Sequence, residues 1–272
     1  MTGNNLIFYF SATGNSRHVA QCLQMANGGI LVPMDTCLLE GQHKFSVDEA
    51  CSVGFVFPVY FWGLPTIVAD FIAALQLDGT PQYTYGVTTY GTSMGEVRHQ
   101  LRKALGLKGI GLDGLFGVRM VDVWTPMFDV SDHDKCLKRT QKAEAQIDKV
   151  ALQIEHHEAG SRHWTELPHL LAQLEYRLYP KARQTRHFSV IDDRCTGCGL
   201  CARKCPTKAI VMDSHKRPFW QKSECAACLR CLHHCPHFAI QYGKHTATHG
   251  QFVHPTEIYN ARWRHIRISK TS

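Results

Sequence analysis

Residues 6–16 read LIFYFSATGNS. The apolar and aromatic run Leu6–Phe10 predicts a buried strand, and an amphipathic stretch from about Asn15 to Met25 predicts a helix after it. The loop between them carries hydroxyl groups and ends at a helix N-terminus, where backbone amides can bind a phosphate. A polar turn with an ordinary helix cap is the competing interpretation of this loop alone.

The alternation of apolar runs and helical stretches continues to about residue 160. Further strands are predicted at Gly29–Val32, Cys51–Phe57, Tyr83–Thr89 and Leu115–Val121. Helices are predicted at Pro65–Leu75, at Ser93–Leu105 and from near Ser131, with capping-box spacing to Asp134, to about His157. Continuous apolar strands separated by helices indicate a parallel sheet covered on both faces. Five strands suit a doubly wound α/β fold of strand order 2-1-3-4-5, whose ligand binds beyond the carboxyl ends of the strands.

Two more loops follow predicted strands at that edge. One reads PVYFWGLP over residues 58–65, and its three successive aromatic residues cannot all face inward. Aromatic rings there could stack on a planar ligand, and Gly63 allows a close backbone approach. A hydrophobic loop that caps the sheet is the alternative. The other loop reads TYGTSMG over residues 89–95 and offers hydroxyl groups, two glycines and another aromatic residue.

Together the three loops resemble those of flavodoxins. SATGNS resembles the FMN-phosphate loop, and PVYFWGLP and TYGT resemble the two isoalloxazine loops. The resemblance implies that the first loop holds the phosphate, that Tyr60, Trp62 and Gly63 flank the ring near N5, and that the third loop flanks its other edge. The FMN-binding residues predicted in this way are Ser11, Thr13, Gly14, Asn15, Ser16, Pro58, Tyr60, Phe61, Trp62, Gly63, Thr89, Tyr90 and Gly91. The second loop has no acidic residue, and Trp124 is interpreted as a packing residue.

Eight of the twelve cysteines lie between Cys195 and Cys235. The pattern Cys195-x2-Cys198-x2-Cys201-x3-Cys205-Pro206 recurs, shifted by 30 residues, as Cys225-x2-Cys228-x2-Cys231-x3-Cys235-Pro236. Ala-Ile follows in each half, so the segment is an internal duplication. A disulfide framework would not need such regular spacing. Zinc is the rival metal, but structural zinc sites space their cysteine pairs further apart and need only four ligands. The pattern therefore predicts iron–sulfur ligation.

This repeat resembles bacterial two-cluster ferredoxins, small α+β domains in which the fourth cysteine of each motif ligates the other cluster. The resemblance implies two [4Fe–4S] clusters. One would be held by Cys195, Cys198, Cys201 and Cys235, and the other by Cys225, Cys228, Cys231 and Cys205. Glycines in the first repeat suit close approach of backbone amides to cluster sulfurs, whereas the second repeat lacks them and is expected to approach less closely. Arg230 is expected to place a positive charge beside the second cluster.

The motifs divide the chain into a flavodoxin-like domain (1–160), a basic linker (161–187), a ferredoxin-like domain (188–243) and a basic aromatic tail (244–272). Residues 161–272 hold 18 Lys and Arg against 7 Asp and Glu, whereas residues 1–160 hold 12 against 16. Clusters of about 2− each would offset part of the basic excess, so nucleic-acid binding is not favoured. The linker cations (Arg177, Lys181, Arg183 and Arg186) are either solvated or a docking strip for an acidic partner or for the acidic first domain.

Several side chains outside the motifs carry smaller expectations. Phe219 and Trp220 are predicted to lie in the core of the small domain, and His233 and His234 at the surface. The tail carries cations and aromatic residues, which predict that it packs on another part of the protein; they are Phe252, Tyr259, Arg262, Trp263, Arg264, Arg267 and Lys270. The sequence shows no secretory signal and no apolar run of the roughly 18 residues that a membrane span needs, so a cytoplasmic location is expected.

The whole chain resembles the flavodoxin–ferredoxin fusion proteins of anaerobic bacteria and archaea, often called EFR-type ferredoxins. The resemblance implies an oxidoreductase in which a low-potential donor protein, of ferredoxin or flavodoxin type, reduces the clusters, and electrons pass through FMN to a small organic substrate. A carrier that relays electrons to a separate acceptor protein is the alternative. A redox-sensing regulator is a third possibility, which no DNA-binding helix pattern supports.

Overall fold

The computed structural model describes residues 5–160 and 174–257. Its main sheet has five parallel strands, β1 (Leu6–Tyr9), β2 (Ile30–Pro33), β4 (Ser52–Pro58), β6 (Tyr83–Tyr90) and β7 (Gly114–Arg119), in the order β2-β1-β4-β6-β7. Counted along these five strands, the order is 2-1-3-4-5, so the predicted fold class is confirmed. Two short strands, β3 (Lys44–Ser46) and β5 (Gln76–Asp78), pair in parallel apart from this sheet.

Helices cover both faces of the sheet because successive strand residues point to opposite sides. On one face, Ile7 packs with Val19 of α1 (Asn15–Asn27) and Ile147 of α5 (His133–Glu155). On the other face, Phe8 belongs to a core shared by α2 (Met34–Glu40), α3 (Thr66–Ala74) and α4 (Val97–Gly106). The central strands β4 and β6 are buried along nearly their whole length, as the continuous apolar runs predict.

The helix α5 starts differently from the prediction. Asp132 caps it, accepting a hydrogen bond from the Lys135 amide at 2.9 Å, so the predicted cap at Ser131 is wrong by one residue. An aspartate also caps helices well, and it stands at the residue where the chain turns into the helix.

The cysteine repeats form a small second region of two antiparallel strand pairs. Strand β8 (Phe188–Val190) pairs with β11 (Ile240–Tyr242), and β9 (Ile210–Met212) pairs with β10 (Pro218–Trp220). Its short helices are α6 (Tyr179–Ala182), α7 (Leu200–Lys204), α8 (Arg230–His233) and α9 (Thr246–His249), with single 3-10 turns at Thr185–His187 and Asp192–Arg194. Trp220 packs against the core of this region, as predicted, and stacks on Phe188. Phe219 is 48% exposed, because neighbouring residues of a strand face opposite sides.

The two cysteine loops share one backbone conformation despite their different residues. Gly197 and Gly199 have φ values of 71° and 70°, and the equivalent Ala227 and Leu229 have 49° and 54°. The expectation that the second loop approaches its cluster less closely, for want of glycine, therefore finds no support in its backbone. A left-handed conformation costs an L-residue roughly 1–2 kcal/mol, so the surrounding packing must hold Ala227 and Leu229 in place.

The second region packs directly on the loops of the first. His233 donates from Nε2 to the Val123 carbonyl at 2.9 Å, and His234 donates to the Ala12 carbonyl at 3.0 Å. Burial, aided at His234 by Lys204, lowers the pKa of His233 to about 4 and that of His234 to about 3, so both rings are neutral. The prediction that these histidines lie at the surface is wrong, because the face that carries them is covered by the first domain.

The linker and tail are described only in part. Linker residues 161–173 and the tail residues Tyr259, Arg262, Trp263, Arg264, Arg267 and Lys270 lie outside the described residues. Arg183 of the linker pairs with Glu224 at 3.3 Å and donates to the Cys225 carbonyl at 2.9 Å, so this cation is bound to the cysteine region. Among the helices that the structure describes, none is both long and apolar enough to cross a membrane.

Candidate functional site

A large cleft opens at the carboxyl edge of the main sheet. Its volume is about 1070 Å³, counting the part open to solvent. All three predicted FMN loops line it, and so do the segment after β7 and the second cysteine loop. The predicted residues that line it are Ser11, Thr13, Asn15, Ser16, Pro58, Tyr60, Phe61, Trp62, Thr89, Tyr90 and Gly91. Gly14 and Gly63 lie in the same loops but do not line the cleft.

The first loop ends at the N-terminus of α1 and is fixed from several sides. The Gly14 amide donates to the Ser11 hydroxyl at 3.1 Å, which closes the turn, and Gly14 takes a left-handed φ of 99°. The Ser16 hydroxyl lies 2.8 Å from that of Thr89, so the first and third loops are joined inside the cleft wall. Since the first amides of a helix have no partner within it, this turn can direct N–H groups at an anion.

Two buried polar atoms in the cleft lining have no hydrogen-bond partner among the described residues. They are Oδ1 of Asn15 and the hydroxyl of Tyr60. Asn15 already donates one Nδ2 hydrogen to the Val121 carbonyl at 3.2 Å, so its free oxygen suits an O–H or N–H donor of a ligand, while its backbone amide is among the donors that could serve a phosphate. Burial raises the pKa of Tyr60 well above its usual value, so the hydroxyl stays protonated. Unpaired buried groups are costly, and a polar ligand in the cleft would satisfy both.

The aromatic loop is held in a strained conformation. Phe61 and Trp62 have φ values of 49° and 56°, and the Tyr60 and Gly63 backbones bond to each other at 2.9 and 3.0 Å. Tyr176 of the linker packs against Gly63 where a side chain would otherwise stand. Trp62 donates to the Thr92 hydroxyl at 3.2 Å on an exposed rim. The ring-lining loop is therefore built with help from the linker, which sequence reasoning did not anticipate.

Trp124 lies between the two regions. The centroid of its ring lies 5.0 Å from that of Phe61 and 5.2 Å from that of Tyr242, both in edge-on contact. These contacts support the packing role predicted for Trp124. It also lines the cleft.

Asp122 is a cleft residue that the sequence analysis missed. It follows β7, lines the cleft beside Gly91, and accepts a hydrogen bond from the Trp124 amide at 3.1 Å. Burial raises its pKa, which the Trp124 amide only partly counteracts. Its position just after the fifth predicted strand could have indicated it, because polar residues at the carboxyl ends of the strands lie at the ligand-binding edge of such a sheet.

The eight cysteines of the repeats surround two separate cavities. One cavity, of about 350 Å³, is lined by Cys195, Cys198, Cys201 and Cys235. The other, of about 290 Å³, is lined by Cys205, Cys225, Cys228 and Cys231. We call them the outer and the inner cysteine sites, because Cys198 is exposed whereas all four cysteines of the second set are buried. Each site takes three thiols from one repeat and the fourth from the other, which is the crossed arrangement implied by the ferredoxin resemblance.

The chemistry of these thiols suits a metal centre. All twelve cysteines are free, so no disulfide competes. Burial, together with neighbouring thiols, raises the pKa of Cys201 and Cys225 to about 11, that of Cys228 to about 12 and that of Cys231 well above its usual value. Buried thiols gathered in fours are stable as thiolates only beside a compensating positive charge, and a metal centre supplies it.

The inner site shares a wall with the cleft. Cys228 and Leu229 line both the cleft and the inner cavity. Ala226 and Cys228 also pack in the same hydrophobic core as the strands of the main sheet.

Arg230, next along the chain, lies near Cys228 as expected but does not present a free charge. Its Nη1 lies 2.6 Å from the Asp35 carboxylate, and its Nη2 donates to the Ser11 carbonyl at 2.6 Å. The guanidinium thus fastens the inner site to the first loop.

The beginning of the tail closes over the first loop from the other side. The His254 amide donates to the Thr13 carbonyl at 2.8 Å, and Glu257 pairs with Arg17 of α1 at 3.1 Å. Phe252 packs with Val121 and Val130. The prediction that the tail packs on another part of the protein holds for these residues.

Comparisons with known proteins identify one segment. Residues 188–211, which include four of the cysteines, match the family model described as a 4Fe-4S binding domain. A comparison with curated proteins gives no match. Among solved structures, a putative flavoprotein from Bacteroides uniformis has 16% identity over 44% of this chain and 94% of its own, with a TM-score of 0.32. The Trp repressor binding protein from Bacillus subtilis has 12% identity over 53% of this chain and 96% of its own, with a TM-score of 0.32. Rubredoxin oxygen:oxidoreductase from Desulfovibrio gigas has 20% identity over 54% of this chain and 36% of its own, with a TM-score of 0.31. The matched segment indicates a redox protein with an iron–sulfur site.

Proposed function

We propose that this chain is an FMN- and iron–sulfur-dependent oxidoreductase that accepts electrons from a low-potential donor protein and delivers them to a small organic substrate. One observation carries the proposal: Cys228 and Leu229 form a wall common to the cleft and the inner cysteine site. A flavin in the cleft and a cluster in the inner site would lie on opposite sides of these residues. Bound there, [4Fe–4S] clusters supply single-electron transfer and FMN exchanges single electrons for pairs.

The exposure of the two cysteine sites supports the direction of the proposed route. The outer site, with its exposed Cys198, is the entry for the donor, and the buried inner site lies next to the cleft. Arg203 donates to the Cys198 carbonyl at 2.8 Å, and Arg217 donates to the Cys195 carbonyl at 2.7 Å. These cations stand at the entry and suit an acidic donor of ferredoxin or flavodoxin type.

The cleft residues divide the work of binding the flavin. The α1 turn and Ser16 direct donors at the phosphate, Tyr60 and Asn15 offer their unpaired polar atoms to the rest of the ligand, and Trp62 and Tyr90 flank the ring. Burial raises the pKa of Asp122 and so favours its neutral form, and it is the acid we assign to proton delivery. These roles agree with a substrate that enters the cleft over an open face of the flavin ring.

The rim of the cleft bears on the choice between enzyme and carrier. Met127 lines the cleft and is 68% exposed, so the opening is accessible to a small molecule. The same exposed apolar rim could receive an acceptor protein, which keeps the carrier as the second candidate. The described tail covers the first loop, not this rim.

The test uses anaerobically purified holoprotein, a reduced two-cluster ferredoxin as donor, and flavin absorbance as the readout. Cys198→Ala should slow flavin reduction by the ferredoxin at least about tenfold, since the entry site is lost. Cys136→Ser, a cysteine of α5 outside both sites, should leave the rate unchanged. Equal rates in wild type and Cys198→Ala would contradict the route. Reoxidation by a water-soluble quinone supports the enzyme, and reoxidation only by an added protein acceptor supports the carrier.

A further inference from the structure

A third group of metal-binding side chains lies far from the cysteine repeats in sequence, between α1 and α5. His18 and Cys22 stand one helical turn apart on α1, so their side chains share a face, and Glu144 faces them from α5. One ligand atom from each lies within 4.8 Å of the others. A metal ion bound here would serve a role independent of the proposed electron-transfer function.

The two distances from His18 match the edges of a metal tetrahedron. The Cys22 sulfur lies 3.6 Å from His18 Nε2, and the two Glu144 oxygens lie 2.9 and 3.2 Å from the same nitrogen. With Zn–S near 2.3 Å and Zn–N or Zn–O near 2.0–2.1 Å, tetrahedral angles give edges of about 3.6 Å for S–N and about 3.3 Å for N–O. The third edge, from the Cys22 sulfur to a Glu144 oxygen, is at most 4.8 Å against about 3.6 Å for a tetrahedron, so an ion could replace the present hydrogen bonds after the side chains draw together.

The surroundings favour a cation and leave it one open position. Asp148, one turn beyond Glu144 on α5, adds a second negative charge near Cys22. The Glu144 side chain is 47% exposed, so solvent reaches the fourth coordination position, while that of His18 is only 14% exposed.

We propose that His18, Cys22 and Glu144 form a Zn²⁺ site with one coordination position open to water. Imidazole, thiolate and carboxylate together suit zinc better than magnesium or calcium, which prefer oxygen ligands alone. The ion would join α1 to α5. It would also fix the His18 ring, which stacks on His254 of the tail at a centroid distance of 4.2 Å. Because the His254 amide binds the Thr13 carbonyl, zinc would hold the tail on the first loop.

The test is zinc binding to holoprotein whose iron sites are filled, so that the cysteine repeats cannot compete. After dialysis against one equivalent of Zn²⁺, wild type should retain one zinc per chain. Its zinc-edge EXAFS should show one sulfur near about 2.3 Å and otherwise nitrogen and oxygen. Cys22→Ser should remove the sulfur shell, and His18→Gln and Glu144→Gln should each weaken zinc binding at least about tenfold.

Glu155→Gln, an exposed carboxylate on the same helix, is the matched control and should bind zinc like wild type. Circular dichroism and flavin content verify that each variant is folded. A shell of four sulfurs, no retained zinc, or retention that none of the three variants weakens would overturn the proposal. None of these outcomes depends on whether the protein transfers electrons.

Discussion

The Arg230 guanidinium lies 2.6 Å from the Asp35 carboxylate, and their side chains are only 15% and 13% exposed. This ion pair joins α8 of the cysteine repeats to α2 of the flavodoxin-like domain. Arg230 also binds the Ser11 carbonyl, so one side chain links the inner cysteine site, the second helix and the first loop. It is therefore one of the contacts that hold the inner site beside the cleft.

Arg230→Met should destabilise the protein by about 3–5 kcal/mol, because it leaves the Asp35 carboxylate buried without a counter-charge. Denaturant unfolding of the holoprotein measures the change. Arg230→Met combined with Asp35→Leu should be less destabilised than Arg230→Met alone, and exposed Arg186→Met is the control. A double variant no more stable than the single one would show that the pairing does not matter.

Ser16→Ala should weaken FMN binding about 10- to 100-fold, as expected for losing a hydrogen bond to a charged group, and should change riboflavin binding less than about threefold. Quenching of flavin fluorescence measures both affinities. Thr140→Val, which also removes a buried hydroxyl but lies on α5, should change neither. Equal losses for FMN and riboflavin would mean that the first loop does not hold the phosphate.

Tyr60→Phe should weaken FMN binding about two- to tenfold, the effect of one neutral hydrogen bond, without destabilising the flavin-free protein. The reason is that the Tyr60 hydroxyl is buried with no partner among the described residues. Tyr85→Phe, buried within the sheet, is the control. A flavin-free protein that loses stability on Tyr60→Phe would show that the hydroxyl serves the fold instead of a ligand.

Asp122→Asn should stabilise the protein at neutral pH, because burial raises the folded-state pKa of Asp122 and so penalises its charged form. In the wild-type protein, burial of the charged carboxylate lowers stability at pH values above the ordinary pKa of aspartate. The stability gained by Asp122→Asn should therefore shrink as the pH falls towards that pKa. Denaturant unfolding at several pH values measures it. The same variant should slow reoxidation by a proton-requiring acceptor; an unchanged rate would remove Asp122 as the acid.

The sequence predicted the parts of this protein whose signals are local or repeated. The run Leu6–Phe10 and the four later apolar runs suffice for the parallel sheet, because buried parallel strands are apolar on both faces. The regular cysteine spacing likewise predicted iron–sulfur ligation, and the resemblance of the repeat to two-cluster ferredoxins implied the crossed grouping of the thiols. The short α2 was missed because seven residues carry too little periodicity to distinguish a helix.

What the sequence could not predict depends on contacts between distant segments. His233 and His234 look like surface residues until Ala12 and Val123 supply carbonyl partners some hundred or more positions away. Arg230 looks like a charge beside a cluster until Asp35 neutralises it. Tyr176 of the linker packs against the loop at Gly63, although no sequence pattern in either segment indicates that the two are in contact.

The central claim is that two crossed sets of four cysteines hold iron–sulfur clusters beside a flavin cleft. Iron, sulfide, zinc and flavin measured on anaerobically purified protein test it most directly. The account predicts about eight irons, about eight sulfides and about one FMN per chain, on the basis of two [4Fe–4S] clusters. Two zinc ions per chain in place of the iron, or iron without stoichiometric flavin, would contradict it.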